Sequence, residues 1–171
     1  MAEEGQGSYE KVQEELRQID IYRDTPIRFL GYSNEVGEAF RSIVPVSVVR
    51  ATYVAAFAYV CADALDKSRK AHKKEWPTCN DRSKAVAVAA GDTFLWQTLA
   101  SVVIPGFTIN RLCHFTAVLL NKTTRLPAPV RRWSTTLIGL GAIPLIVRPI
   151  DAAVEMGMDG WVRPLYGATA H

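Results

Sequence analysis

Residues 85–105 form an apolar run that contains one charged side chain, Asp92. A helix rises about 1.5 Å per residue and the hydrocarbon core of a bilayer is about 30 Å thick, so about 20 apolar residues suffice for one crossing. A charge at the centre of the bilayer costs about 2.5–3.5 kcal/mol on insertion scales, so Asp92 must lie near an interface or face other helices. The run therefore predicts a membrane-spanning helix.

Charge is segregated along the rest of the chain, although 49% of its 171 residues are hydrophobic and only 22% are charged. Charged side chains are scarce in residues 43–60, 85–110 and 133–147 and are concentrated between them. This segregation is typical of membrane spans and loops, whereas surface helices mix apolar and charged positions. Spans are therefore predicted at residues 43–65, 85–105 and 133–150.

The number of crossings stays open at this level. After Pro105 and Gly106, residues 107–120 are apolar but too short for an independent span, so they form either a re-entrant segment or a fourth crossing. Residues 67–84 carry seven basic and two acidic side chains, and residues 121–132 carry four basic and no acidic ones. The positive-inside rule favours placing both basic segments on one side, which requires an even number of crossings.

The basic segment 67–84 has two readings as a binding surface. Nucleic-acid binding is not favoured, because the segment has neither a recognised motif nor interleaved aromatic residues. Contact with anionic membrane lipid, cardiolipin included, is expected instead.

Three regions follow from these patterns. Residues 1–21 are a polar N-terminal segment in which Tyr9, Val12, Leu16 and Ile19 recur at helical spacing, so they predict a short amphipathic helix. Residues 22–151 form the membrane-embedded helical domain, and residues 152–171 are expected to be a weakly structured C-terminal tail. The predicted fold is all-α, a small multi-pass transmembrane bundle of three spans plus the re-entrant or fourth segment.

Residues 22–41 predict a helix that begins near Pro26, since proline fits a first helical turn. Gly31 and Gly37 inside it lower its stability, which indicates close approach by another backbone. Glu35 and Glu38 stand three apart with Arg41 following, and without a histidine they predict a solvated, salt-linked face rather than a metal site. We expect this helix to present a partner surface that consists of Tyr32, Asn34, Glu35, Glu38 and Arg41.

The cysteines, the histidines and the known nucleotide-binding patterns indicate no catalytic or metal site. Three cysteines show neither disulfide nor zinc spacing, and the three histidines are scattered. The phosphate-binding pattern GxxxxGK[ST] is absent, so the chain is not itself a mechanical GTPase. We therefore predict no catalytic residue, no metal ligand and no cofactor, and a protein that is not an enzyme.

Small residues predict how the first span packs. Ala51, Ala55, Ala58 and Ala62 recur along one face of residues 43–65, a pattern that permits close helix contact. We expect this face to pack against other helices of the same chain rather than against a second copy of the protein.

Three charges in or beside the spans, Arg50, Asp92 and Arg111, leave two functions open. In the first, the protein is a non-enzymatic adaptor or regulator, and Asp92 and Arg111 hold the bundle together. In the second, the three side chains line a polar path in a channel or carrier-like permeability factor. Three or four helices do not enclose a pore, so the second function requires a homo-oligomer.

Three stretches in this order resemble the signature blocks of the mitochondrial fission process protein family, also called the 18 kDa mitochondrial protein family. They are YRDTPIRFLGYSNEVGEAFRSIVP at residues 22–45, DTFLWQTLASVVIPGFTINR at 92–111 and RRWSTTLIGLGAIPLIVRPID at 131–151. The resemblance covers residues 22–151. The first twenty residues and the segment 67–84 match poorly, and Arg148 stands where the family's last block leads one to expect histidine.

The resemblance implies an integral, multi-pass protein of the mitochondrial inner membrane that promotes mitochondrial division and affects the coupling of that membrane. It also implies a functional link to the dynamin-related GTPase machinery of fission and to the ADP/ATP carrier. The family is not described as enzymatic and offers no catalytic residues to carry over.

Overall fold

The structure, a computed structural model, describes residue 22 and residues 26–166. These residues are almost entirely helical, and no strand occurs among them, so the all-α prediction is confirmed. A 3-10 helix, Pro26–Tyr32, leads into α1 (Ser33–Phe40), α2 (Val46–Lys73), α3 (Cys79–Gln97), α4 (Ile104–Thr123) and α5 (Ala128–Gly157). The predicted amphipathic segment 1–21 lies outside the described residues.

Helices α3 and α4 are two halves of one uninterrupted helix. A π-helical turn, Thr98–Val103, joins them, so the helix runs over Cys79–Thr123 for 45 residues. Pro105 has no backbone N–H, but its position at the start of α4, directly after the π turn, lets the helix continue. The prediction of a re-entrant segment or fourth crossing at residues 107–120 is therefore wrong.

Three helices are long and apolar enough to cross a membrane: Val46–Lys73, Cys79–Thr123 and Ala128–Tyr166. This confirms the three predicted spans. Within their most apolar stretches only 33%, 22% and 11% of the residues are buried inside the bundle. Large apolar side chains such as Val54, Phe107 and Leu145 are 61–76% exposed. A surface of this kind is stable against lipid, because lipid tails are as apolar as the side chains.

Most of the basic segment 67–84 is helical rather than a loop. Helix α2 extends to Lys73 and α3 begins at Cys79, which leaves residues 74–78 as the connection. The side chain of Thr78 caps α3 by accepting a hydrogen bond from the backbone N–H of Asp81 at 3.2 Å. The second connection, residues 124–127, lies at the other end of the Cys79–Thr123 helix. If that helix crosses the membrane once, the prediction of both basic segments on one side is wrong.

The C-terminal region is also more ordered than the sequence indicates. After α5, a π turn at Met158–Val162 and a 3-10 turn at Arg163–Tyr166 continue the helical path. Val154 and Met158 pack with Trp96 and Ala100 of the long helix in a buried apolar cluster. The prediction of a weakly structured tail is therefore wrong for residues 152–166.

The alanine stripe of α2 does not face the bundle. Ala51, Ala55 and Ala58 are exposed, whereas Ala56 and Val60 are fully buried. The prediction that the stripe packs within the bundle is wrong, because α2 turns a different face inward. That face consists of Val49, Ala56, Tyr59, Val60, Asp63 and Ala64.

Helix α1 is wedged among α2, α4 and α5. A Cβ atom at Gly37 would lie 2.0 Å from Thr52 Oγ1, and one at Gly31 would lie 3.0 Å from the ring of Tyr59. On the other side, a Cβ at Gly139 of α5 would lie 3.1 Å from Ala39 Cβ. Close approaches do occur at Gly31 and Gly37, but their partners are side chains of α2 and not the backbone that was predicted.

We expect Gly37→Ala to destabilise the bundle by about 1–3 kcal/mol, the usual cost of overpacking. Thr52 is β-branched and has a hydroxyl held by the carbonyl of Val49 at 2.7 Å, so it moves aside poorly. Gly141→Ala is the matched control, since no atom lies within 4 Å of a Cβ there. It should raise stability slightly through helix propensity. Thermal unfolding of both purified proteins in detergent checks this, and equal midpoints would contradict it.

Cysteines placed in the two connections should react with an impermeant reagent from opposite sides of the membrane. Single cysteines at the exposed positions Glu75→Cys and Arg125→Cys, in a chain without its native cysteines, test this with an impermeant maleimide on sealed membranes of one orientation. One position should react before permeabilisation and the other only after it. Reaction of both from one side would contradict a single crossing by the Cys79–Thr123 helix.

Candidate functional site

The polar interior around α1 is the most unusual feature of the bundle. Glu38 is 2% exposed, and its carboxylate accepts four hydrogen bonds. Arg41 donates two of them, from Nε and Nη2, each at 2.6 Å. Tyr53 of α2 donates through its hydroxyl at 3.0 Å, and Asn110 of α4 through Nδ2 at 2.8 Å. One carboxylate therefore connects three helices.

The hydrogen bonds to its carboxylate determine the protonation state of Glu38. Burial alone raises the pKa of this carboxyl, but the bonds from Arg41, Asn110 and Tyr53 outweigh burial and hold it below its ordinary value. Glu38 is therefore ionised at neutral pH. Its burial is tolerated because its oxygens are satisfied by charged and polar donors.

Glu35, one helical turn earlier, has the opposite character. Its side chain is 0% exposed, and neither carboxylate oxygen has a hydrogen-bond partner among the described residues. Burial, reinforced by the negative charge of Asp151, raises the pKa of Glu35 to about 8. The two carboxyls of α1 thus differ in protonation at neutral pH, because only one of them has donors.

Asn34 joins α1 to the π turn of the long helix. Its Nδ2 donates to the carbonyl of Val102 at 3.1 Å, and the side chain is fully buried. Gly106 makes this approach possible, since a Cβ there would lie 2.9 Å from Asn34 Nδ2 and 2.8 Å from the hydroxyl of Tyr53. The Pro105-Gly106 pair therefore provides room for α1 rather than a break in the helix.

A second buried polar chain joins α2 to the long helix. Gln97 donates through Nε2 to Asp63 at 2.5 Å, and the hydroxyl of Ser101 donates to Gln97 Oε1 at 2.7 Å. All three side chains are at most 7% exposed. The carboxylate of Asp63 therefore lies inside the bundle and not on its outer surface.

An ion-pair cluster closes the C-terminal end of the bundle. Arg163 donates to Asp92 at 3.0 and 3.1 Å, to Glu155 at 2.6 Å and to Asp159 at 2.5 Å. The hydroxyl of Tyr166 also donates to Asp92. Asp92 therefore faces another helix. No sequence pattern indicated Arg163 as its partner, because residues 152–171 were expected to be a weakly structured tail.

The residues predicted as a partner surface separate into two groups. Asn34, Glu35 and Glu38 are at most 2% exposed, so they present no surface to a partner, and the prediction of a solvated face is wrong for the two glutamates. Tyr32 is partly exposed, and Arg41 is exposed while it binds Glu38. The glutamates are buried because Gly37 on the same helix lets α2 approach, and this glycine was visible in the sequence.

The other two predicted charges do not join Asp92. Arg50 is exposed near the start of α2. Arg111 is exposed as well, and its guanidinium carbon lies 5.3 Å from the ring centroid of Phe107 on its own helix. Phe107 precedes it by one turn, so this cation–π contact holds no two helices together. Within the described residues, no group of three or more histidine, cysteine, aspartate or glutamate side chains is arranged to hold a metal ion.

A groove runs along α5 on the outer side of α1. It has a volume of about 650 Å³, and its polar end contains Arg28, Tyr32, Arg148 and Asp151. Arg28 donates to Asp151 at 2.7 Å and, through Nε, to the hydroxyl of Tyr32 at 2.5 Å. This ion pair joins the 3-10 helix to α5 at a point 123 residues away in sequence.

The sequence pattern of the mitochondrial 18 kDa protein family (MTP18) matches residues 9–158. This chain belongs to that family. Similar proteins named "mitochondrial fission process protein 1" occur in Caenorhabditis elegans, with 54% identity over 90% of this chain and 92% of that protein, and in Danio rerio, with 55% over 86% and 89%. The human protein of that name is 54% identical over 86% of this chain and 88% of its own length. No solved structure matches the chain.

The match extends across every element that builds the polar interior. It reaches from residue 9 to residue 158 and so includes α1, both halves of the long helix and α5. Of the cluster around Asp92, three residues lie beyond it: Asp159, Arg163 and Tyr166. The family resemblance seen in three separate blocks is thus confirmed for most of the chain.

The two glutamates of α1 should give opposite pH signatures. Because folding raises the pKa of Glu35, the folded state holds a proton that the unfolded state releases, and the free energy of unfolding should fall as pH rises from about 5 to 8. Glu35→Gln should remove this decline and raise stability at pH 8. Glu38→Gln should destabilise at pH 7 by about 1–3 kcal/mol, because it weakens charge-assisted bonds.

The stabilising effect of Glu38 comes from a lowered pKa, so it is present at neutral pH and lost as pH falls through the folded-state value. Thermal midpoints from pH 3 to 9 in detergent would measure both effects, the loss of the Glu38 contribution below about pH 4.5 and the decline due to Glu35 between about pH 5 and 8, with Glu75→Gln in the exposed connection as control. A wild-type profile identical to that of Glu35→Gln would contradict the assignment of a protonated Glu35.

Proposed function

We propose that this chain is a non-enzymatic protein of the mitochondrial inner membrane that promotes mitochondrial fission. The observation that carries this is 54–56% identity over 86–90% of the chain with proteins named for the mitochondrial fission process. Three helices of membrane-spanning length and composition support placement in a membrane. The choice of the inner membrane rests on the resemblance of the three sequence blocks described above.

The finer role we propose is to maintain the integrity and bioenergetic coupling of the inner membrane. Its proposed links are to the dynamin-related GTPase machinery, which supplies the mechanical work, and to the ADP/ATP carrier. The chain has no phosphate-binding loop of its own. It would therefore act by contact, as an adaptor or regulator, and not by hydrolysis.

The geometry supports an adaptor because the interior is occupied with its own bonds. Glu38, Asp63 and Asp92 each accept hydrogen bonds from side chains of this chain. The helix surfaces that remain are apolar and exposed, as Val54, Phe107 and Leu145 are. Contacts with inner-membrane lipids, cardiolipin included, with other membrane proteins or with further copies of the chain would all use that outer surface.

The alternative function, an oligomeric channel or carrier-like permeability factor, requires a polar path between copies. Arg50 is exposed near the start of α2 and Arg111 is exposed on α4, whereas Asp92 is bound by Arg163. A path through them would need a second chain to cover both arginines. The adaptor needs no such assembly, so we prefer it.

A rescue experiment tests the proposal. Human cells that lack their 54% identical relative should regain short mitochondria when this chain is expressed in their inner membrane. An Arg50→Gln, Arg111→Gln double variant should restore fission as fully as the wild type, because neither side chain holds the bundle together. Mitochondrial length and carbonate-resistant membrane association are the measurements.

Two outcomes would contradict this proposal. The first is correct membrane insertion of the wild-type chain with no change in mitochondrial length. The second is loss of rescue in the double variant, together with a protein-dependent leak of liposomes that the same variant abolishes. That pair of results would support the permeability factor.

A further inference from the structure

The groove between α5 and the N-terminal helical segment is not used by the proposed adaptor role. It lies between the Pro26–Tyr32 helix with α1 on one side and α5 on the other, and its volume is about 650 Å³. Volumes of about 300–1,000 Å³ are typical of sites for small organic ligands. The question is which ligand its chemistry would select.

The groove is amphipathic along its length. Val36, Leu140 and Ile143 line its apolar part, and Arg28, Arg148 and Asp151 line its polar end. The distance from Leu140 to Arg148 along α5 is eight residues, or about 12 Å at the usual helical rise. A ligand that fills the groove therefore needs an apolar portion and a polar group at one end.

The position of the span in the membrane accounts for the order of apolar and polar residues along the groove. Residues 133–147 carry no charge, and Arg148 is the first charged residue after them. The apolar part of the groove thus coincides with the apolar part of the span, and its arginines lie where the span reaches the interface. Phe29 and Leu145, which are 71% and 76% exposed, would face hydrocarbon on either side.

The charges at the polar end favour an anion. Arg28 is paired with Asp151 at 2.7 Å, so these two side chains largely compensate each other. Arg148 adds a further positive charge and is exposed. Arginine binds phosphate through planar N–H pairs, and its weak hydration suits a site at the membrane interface.

We propose that this groove binds one anionic phospholipid. The lipid phosphate lies at Arg148 and the outer face of Arg28, and one acyl chain lies along Val36, Leu140 and Ile143. Tyr32, whose hydroxyl accepts a hydrogen bond from Arg28, helps to hold that arginine in place. The site depends on insertion into a membrane but not on the role in fission.

The bound lipid would connect two parts of the fold. Among the described residues, the only ion pair across the groove is Arg28 with Asp151. A phosphate that contacts Arg28 and Arg148 would add a second bridge between the Pro26–Tyr32 helix and α5. Anionic lipid should therefore stabilise the protein as well as bind to it.

Native mass spectrometry of the full chain tests the proposal, with phosphatidylglycerol and phosphatidylcholine as probes. The wild type should retain one phosphatidylglycerol per chain and prefer it over phosphatidylcholine about tenfold, as expected for one charge-assisted contact. Arg148→Gln should abolish the preference, and Ile143→Trp, which fills the apolar part, should reduce retention of both lipids.

Matched controls lie on the same surface. Arg111→Gln removes another exposed arginine of a spanning helix, and Leu145→Trp enlarges an exposed side chain of α5 that does not line the groove. Both should bind lipid as the wild type does. Thermal unfolding should show stabilisation by phosphatidylglycerol in the wild type and both controls, and none in Arg148→Gln.

Four results would overturn the proposal. They are equal retention of both lipids by the wild type, unchanged retention in both groove variants, displacement of the lipid by excess inorganic phosphate alone, and a dimer that Ile143→Trp disrupts in the absence of lipid. The third would indicate a site for a free anion and the fourth an interface between copies. Rescue of fission is not a readout here, so failure of the lipid site leaves the proposed function to its own test.

Discussion

The hydrogen-bonded carboxylate of Glu38 is the interaction on which the arrangement of helices depends. An ionised carboxylate away from water costs several kcal/mol unless donors surround it. Arg41 from the end of α1, Tyr53 from α2 and Asn110 from α4 supply those donors. They converge only if α1 enters the bundle, which Gly37 permits because no side chain there blocks Thr52. The burial of the Glu38 carboxylate therefore depends on the absence of a Cβ atom at Gly37.

The long helix passes through Pro105 without breaking, and α1 contacts it just before the proline. A proline removes one backbone donor, and in an apolar environment the carbonyls near it must find others. The π turn at Thr98–Val103 rearranges the backbone just before the proline, and Asn34 donates to the carbonyl of Val102 inside that turn. Helix α1 thus stabilises the long helix, while Gly106 makes room for the side chains that do so.

Local patterns predicted the elements but not their neighbours. The three spans follow from apolar runs, since length and charge alone decide whether a segment crosses a bilayer. The burial of Glu35 and Glu38 did not follow, because Glu38 with Arg41 at i,i+3 fits a solvated surface equally well. Gly31 and Gly37 were the one sequence signal of an inserted helix. The pairing of Asp92 with Arg163 joins residues 71 apart, and no local pattern carries that information.

The interior and the exterior of this bundle therefore have separate roles. Most buried polar side chains, such as Glu38, Gln97 and Asn34, form bonds between helices and so stabilise the fold. The outer surface is apolar, and a uniform apolar surface selects no particular partner, because lipid and protein side chains contact it equally well. Specificity requires a place where charge meets this surface at a defined depth. The polar end of the groove, with Arg148 directly after an uncharged run and Arg28 held by Asp151, is such a place. The proposed adaptor role and the proposed lipid site are therefore compatible uses of one surface.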